Sequence, residues 1–229
     1  MSVEIKDFYQ PYLREFSLNT GQNFILFHGT ACENTKPIIK GGFLPSQDDD
    51  TLYLGNGVYF YDCEYLAIKW RWGREHQPEI VKDAIRKKSR GHNLNSRELD
   101  DLIECFNDKH AVIISEFESV NYLDMDNVKN KKIFETIYRL FYRSTKNVDI
   151  SDTTIYNILF EELGLKDIYD MVTLTLNVYR IKKDSILPQH NIPNKIYCIK
   201  NEKFIVNRCK CEITKEHIDD YLRIVTREK

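Results

Sequence analysis

Phe24-Ile25-Leu26-Phe27-His28-Gly29-Thr30 and, further along, Gly55-Asn56-Gly57-Val58-Tyr59-Phe60 decide how this chain is read. The first is a short apolar run with Gly21 before it and Gly29 after it, the signature of a buried strand. It ends in a polar ring followed by two small residues. The second opens on Gly-x-Gly, a turn signal, and continues into Val-Tyr-Phe-Tyr, a second strand candidate. Leu52-Tyr53-Leu54 flanks the same turn on its other side.

Outward from these runs, residues 7–16 form a short helix or arm. Residues 37–43 read as a short helix stopped by glycine, and residues 46–50 as a polar loop. Residues 63–76 read as a helix with Leu66, Ala67 and Trp70 on one face. Residues 82–90 are a basic helix or loop, and residues 95–106 a helix. Residues 111–117 are a β run rich in β-branched residues, with a further short strand at 120–125. Residues 131–143 carry Ile133, Ile137, Leu140 and Phe141 at helical spacing. Asp152 is read as the N-cap of a helix over 153–163, with Gly164 as its stop. Residues 168–181 are apolar without a clear period, and a helix is expected there. Residues 195–199 and 204–213 alternate as strands, with a hairpin turn at 200–203. Thr214 caps a last helix carrying Ile218, Leu222 and Val225.

The chain has 229 residues and is 42% hydrophobic, enough for one sizeable core. It shows no repeat and no linker. The expectation is a single α+β domain over residues 1–229, with strands at both ends and helices in the middle. A formal net charge of −2 gives no global field toward nucleic acid or membrane. No apolar stretch reaches the roughly 20 residues of a spanning helix, and the start is charged rather than signal-like. A cytoplasmic protein without a membrane partner is expected. The cysteines at 32, 63, 105, 198, 209 and 211 are scattered. Cys209 and Cys211 have no second ligand pair nearby, so they read as half-buried reduced thiols and no metal is expected.

Phe27-His28-Gly29-Thr30, the Gly42-Phe43 that follows a helix, Leu54-Gly55-x-Gly57-Val58-Tyr59-Phe60, and Ala67-Ile68-Lys69-Trp70 together resemble the ADP-ribosyltransferase superfamily, in its poly-ADP-ribose polymerase and diphtheria-toxin-like branch. The resemblance covers roughly residues 24–72, and the later part matches loosely. It implies a split mixed sheet with helices and a helical insertion. It also implies that NAD is bound as a substrate whose nicotinamide–ribose bond is cleaved.

On that resemblance, the main chain of Gly29 holds the nicotinamide carboxamide, since glycine lets the backbone approach closely. The ring of Tyr59 stacks on nicotinamide. His28 hydrogen-bonds a ribose hydroxyl, Thr30 adds a polar contact, and Gly57 belongs to the binding turn. Loss of nicotinamide leaves positive charge on the ribose, which a carboxylate stabilises. Two registers compete for that third motif. Asn201-Glu202-Lys203 supplies Glu202; Asn194-Lys195-Ile196 fits the strand pattern and supplies Lys195. The chemistry favours Glu202, giving His28, Tyr59 and Glu202 as the catalytic set.

The implied activity is mono-ADP-ribosyl transfer to an intracellular macromolecule, nucleic acid or protein, as a toxin or antiviral effector with an inhibitory antitoxin partner. Two features point toward nucleic acid. One is the basic cluster Lys82, Arg86, Lys87, Lys88 and Arg90; the other is Trp70-Arg71-Trp72-Gly73-Arg74, which interleaves aromatics with arginine. A solvated helix face and core tryptophans explain the same residues. An NAD glycohydrolase, or a non-catalytic module binding NAD or ADP-ribose, shares the donor site.

Overall fold

The computed structural model describes residues 3–46, 53–74, 77–145, 150–176 and 194–227. In chain order these form α1 (Val3–Leu13), β1 (Asn19–Ala31), α2 (Thr35–Gly41), β2 (Val58–Tyr61), α3 (Glu64–Arg74), α4 (Glu79–Ser89), α5 (Ser96–Lys109) and β3 (His110–Asp124). There follow α6 (Val128–Ser144), α7 (Asp152–Asn157), β4 (Met171–Leu176), β5 (Asn194–Ile199), β6 (Ile205–Lys210) and α8 (Lys215–Arg227). The fold is mixed α/β, and among the described residues no helix is long and apolar enough to cross a membrane.

The strands run in the order β1-β2-β5-β4-β3-β6, and β1 also pairs with β3. The sheet therefore closes on itself as a small barrel, where the sequence suggested a split sheet. β3 is long enough to serve three neighbours. β1 pairs along it antiparallel from Asn19–Tyr122 to Ala31–His110. β6 pairs antiparallel over Ile113–Phe117, and β4 runs parallel to its last residues, Tyr122–Asp124.

Strand alternation sorts side chains onto two faces. Leu26, Val58, Phe60, Ile113, Phe117, Tyr197 and Ile199 meet on one face, covered by Ile38 of α2 and by Phe43. Phe27, Tyr59, Tyr61, Val112, Ile196 and Cys198 belong to the larger core formed with the helices. Phe60 is fully buried with its ring edge-on to Phe117 at 5.3 Å; burying a ring of this size contributes about 1.5–3 kcal/mol.

The helices follow their apolar stripes. α6 buries Ile133, Phe134, Ile137 and Phe141, and Phe141 stacks on Tyr9 of α1 at 4.5 Å. α5 starts on a reciprocal cap: the Asn95 side chain accepts from the Glu98 amide at 2.9 Å, and the Glu98 carboxylate accepts from the Asn95 amide at 2.8 Å.

Several expectations are corrected. Residues 171–176 of the stretch read as a helix are strand β4; residues 177–181 lie outside the described residues. Met171, Val172 and Thr173 are buried between β3 and β5, so both faces are covered and the period-2 signal is weak. The runs 111–117 and 120–125 are one strand, bent where Ser119 takes a positive φ of 55° and donates its amide to Asn23 Oδ1. Ser151, not Asp152, caps α7, accepting from the Thr154 amide at 3.2 Å. The expected single helix over 153–163 passes at Asn157 into a π-turn, Ile158–Glu162, which ends before Gly164 at φ 84°. Cys209 is exposed and Cys211 buried, because β6 ends between them.

Candidate active site

The centre of the site is the place where β1 and β2 part. Val112 O accepts from the Cys211 amide at 2.8 Å, so Val112 presents its main-chain groups toward β6. Its register partner on β1 is Gly29. That pair is therefore of the non-hydrogen-bonded kind, and Gly29 points its N–H and C=O away from β3, toward β2. Among the described residues the β1–β2 ladder registers one pair, Phe27 with Tyr61. Two residues further on, where Gly29 would meet Tyr59, it registers none. Gly29 thus carries a donor and an acceptor side by side on a splayed strand edge.

His28 fills part of the gap. Its Nδ1 lies 2.8 Å from the carbonyl oxygen of Tyr59. A carbonyl only accepts, so Nδ1 carries the proton and Nε2 is left as an acceptor. The imidazole packs against Phe43 at 5.0 Å and Phe60 at 5.4 Å. Burial lowers its pKa to about 4, with the Arg71 charge adding to the fall and the bond to Tyr59 opposing it. His28 is neutral at pH 7.

Gly29 is required for a second reason. A Cβ there would sit 2.5 Å from the Ala67 carbonyl and 2.9 Å from Arg71 Cγ. The absent side chain lets α3 lie directly on β1. This places Arg71 beside His28, a neighbour that the sequence motif did not single out. Thr30 is buried one alternation beyond His28 on the same face.

Tyr59 is brought to His28 by its backbone, not its ring. The ring lies on the opposite face of the sheet, 9% exposed. Its hydroxyl accepts from the Leu54 amide at 2.9 Å and donates to the Gly55 carbonyl at 2.7 Å. Burial raises this phenol's pKa, so it stays protonated. Gly57, at φ 154°, closes the same turn, and a Cβ on it would lie 2.5 Å from Cys198 Sγ.

Glu202 sits in a 3-10 turn, Glu202–Phe204, between β5 and β6. Its Oε2 accepts from the Phe43 amide at 3.0 Å and from Arg208 Nη2 at 3.1 Å. Phe43 in turn packs on His28, so Glu202 and His28 share one neighbour. Gly42, at φ 95°, leaves room for the carboxylate: a Cβ there would be 2.9 Å from Oε2. Lys195 occupies the second position of β5 and lies 4.0 Å from Asp126. Lys195 thus stands at the start of β5, while Glu202 is linked to His28 through Phe43.

Of the two features read toward nucleic acid, both tryptophans are packed and four of the five cluster cations are paired. Trp72 is 1% exposed, against Phe106 at 5.2 Å and Tyr221 at 4.8 Å; Trp70 leans on Tyr61 at 6.3 Å. Lys82 pairs with Glu79, Arg86 with Asp83, Lys87 with Glu98, and Lys88 with Asp219. The tryptophans thus belong to core, and the four lysine and arginine side chains meet acids of α4, α5 and α8. Among the described residues, no group of three or more His, Cys, Asp or Glu is placed to hold a metal ion.

No established protein-family profile matches the chain, and no solved structure matches it. Over 156 residues it is 27% identical to an uncharacterized protein of Methanocaldococcus jannaschii, covering 64% of this chain and 62% of that protein. The match thus spans less than two thirds of that relative's length.

Proposed function

We propose that this protein is an ADP-ribosyltransferase-like enzyme that cleaves the nicotinamide–ribose bond of NAD and transfers ADP-ribose to an intracellular macromolecule, nucleic acid or protein. The observation that carries this is the splayed β1–β2 edge. Gly29 turns an N–H and a C=O toward the gap, which is the pairing a carboxamide needs. Neutral His28 beside it offers Nε2 to a ribose hydroxyl. Glu202 supplies the negative charge for the developing oxocarbenium ion. Both of its bonds fall on Oε2, which fixes the carboxylate and leaves Oε1 to meet the ribose. Preorganised charge of this kind is worth more than charge that must reorient. Tyr59 orders the 54–57 turn and supplies the carbonyl that orients His28.

A second reading is favoured by Lys195 at the start of β5. A lysine in the third motif position cannot stabilise a cationic ribose, and the protein would then bind NAD or ADP-ribose without turning it over. A glycohydrolase shares the donor site and differs only in using water as acceptor. Nicotinamide release from NAD, followed with and without added RNA, DNA or protein, separates the three. Release with label transferred to one polymer supports the transferase. Release indifferent to all of them points to hydrolysis, and binding without release to the module.

A further inference from the structure

The turn at residues 54–57 is held by three side chains, two of them distant in sequence. Tyr59 Oη takes the Leu54 amide and the Gly55 carbonyl. Lys200 Nζ donates to the Leu54 carbonyl at 2.8 Å and to the Asn56 carbonyl at 2.5 Å, and lies 4.7 Å from the Phe160 ring. Asn157 Oδ1 accepts from the Asn56 amide at 2.6 Å, and Asn157 Nδ2 donates to Asn56 Oδ1 at 3.2 Å. Gly57 exchanges both main-chain bonds with Ser46. Leu54, Gly55 and Gly57 are buried, so this turn's carbonyls and amides cannot be left to water, and nearly all of them are taken by protein.

We infer that Asn157 and Lys200 are positioning residues that hold the 54–57 turn in the shape the dinucleotide site needs; this rests on the NAD reading given under Proposed function. Asn157 is the last residue of α7 before the π-turn, in which Leu163 N bonds back to Ile158 O at 2.9 Å. Such one-turn widenings of a helix concentrate at functional sites. Phe160, on the π-turn itself, lies against the Lys200 ammonium. Gly55 has no room for a side chain because its Cβ would fall against Asn157 Oδ1 and Tyr156 Cβ, so turn and clamp fit each other closely.

The test uses the full chain as Asn157→Ala, Asn157→Asp and Lys200→Met, with amide exchange at Asn56, NAD kinetics by nicotinamide release, and melting temperature. Asn157→Ala and Lys200→Met are expected to raise the KM for NAD about tenfold, the size of one lost hydrogen bond, with kcat changed much less. Asn157→Ala should also speed exchange at the Asn56 amide by a similar factor. Asn157→Asp keeps the Oδ1 acceptor and should restore Asn56 protection. Wild-type turnover with unchanged KM in Asn157→Ala and Lys200→Met, whatever happens to the melting temperature, overturns the positioning role alone. A wild-type protein that neither binds NAD nor releases nicotinamide overturns the NAD reading, and the positioning role with it.

Discussion

His28 Nδ1 donates to the main-chain carbonyl of Tyr59 across 2.8 Å, while the two side chains lie on opposite faces of the sheet. The pair that names the motif is therefore joined through a backbone, and each side chain has separate work. His28 faces Phe43 and Phe60; Tyr59 faces the helices and braces the turn that precedes it.

The folded pKa of His28, about 4, lies below the ordinary value of 6.5. Between those values the unfolded chain binds more protons, so stability rises with pH from about 4 to 6.5 and is lost as pH falls through that window. The loss attributable to His28 is at most about 3 kcal/mol. Urea denaturation of wild type and His28→Gln across this range should show the slope flattened in the variant. Equal slopes would mean that His28 titrates normally.

Gly29→Ala should destabilise the fold by about 1–3 kcal/mol, the usual cost of overpacking. The obstacle is the Ala67 carbonyl, part of a helix backbone that cannot swing aside. Thermal melting of the variant measures it, and a melting temperature equal to wild type would show that α3 does not lie on β1 as described.

Tyr59→Phe keeps the ring and removes the hydroxyl, leaving the Leu54 amide without its partner and the Gly55 carbonyl with only the Cys198 thiol at 3.8 Å. A buried group left unsatisfied costs about 1–3 kcal/mol, so a loss of at least about 1 kcal/mol is expected in urea denaturation. Loss of NAD turnover with full stability would instead indicate that the hydroxyl meets the substrate.

How far the sequence reveals this depends on the element. α5, α6 and α8 are plain from periodicity, because each has one covered and one open face. The centres of β1 and β3 are covered on both faces and show instead as a glycine-bounded apolar run and a β-branched run; β4, also covered on both faces at its start, is shorter and merges with the apolar residues around it. At the site, His28 and Gly29 stand out through their glycine-bounded run, and Gly42-Phe43 through its place in the resemblance. The opposed faces of His28 and Tyr59 follow from pairing Phe27 with Tyr61, a register that the sequence does not specify. Asn157 and Lys200 left no sequence signal: their bonds to residues 54–56 span more than a hundred positions.

Glu202→Gln removes the charge but keeps an oxygen for the Phe43 amide and Arg208. If Glu202 is the transition-state carboxylate, nicotinamide release should fall by about 10²–10³, the usual effect of losing one such stabilising group, while NAD binding persists. A loss of only a few fold would leave Glu202 as the anchor of Phe43 and place the stabilising negative charge on another group.

The most direct test of the account is nicotinamide released from NAD by the purified wild-type chain, beside His28→Ala. The account predicts release by wild type and none above background by the variant, with both folded by circular dichroism. Equal release from the two, or no NAD binding by wild type, would contradict it.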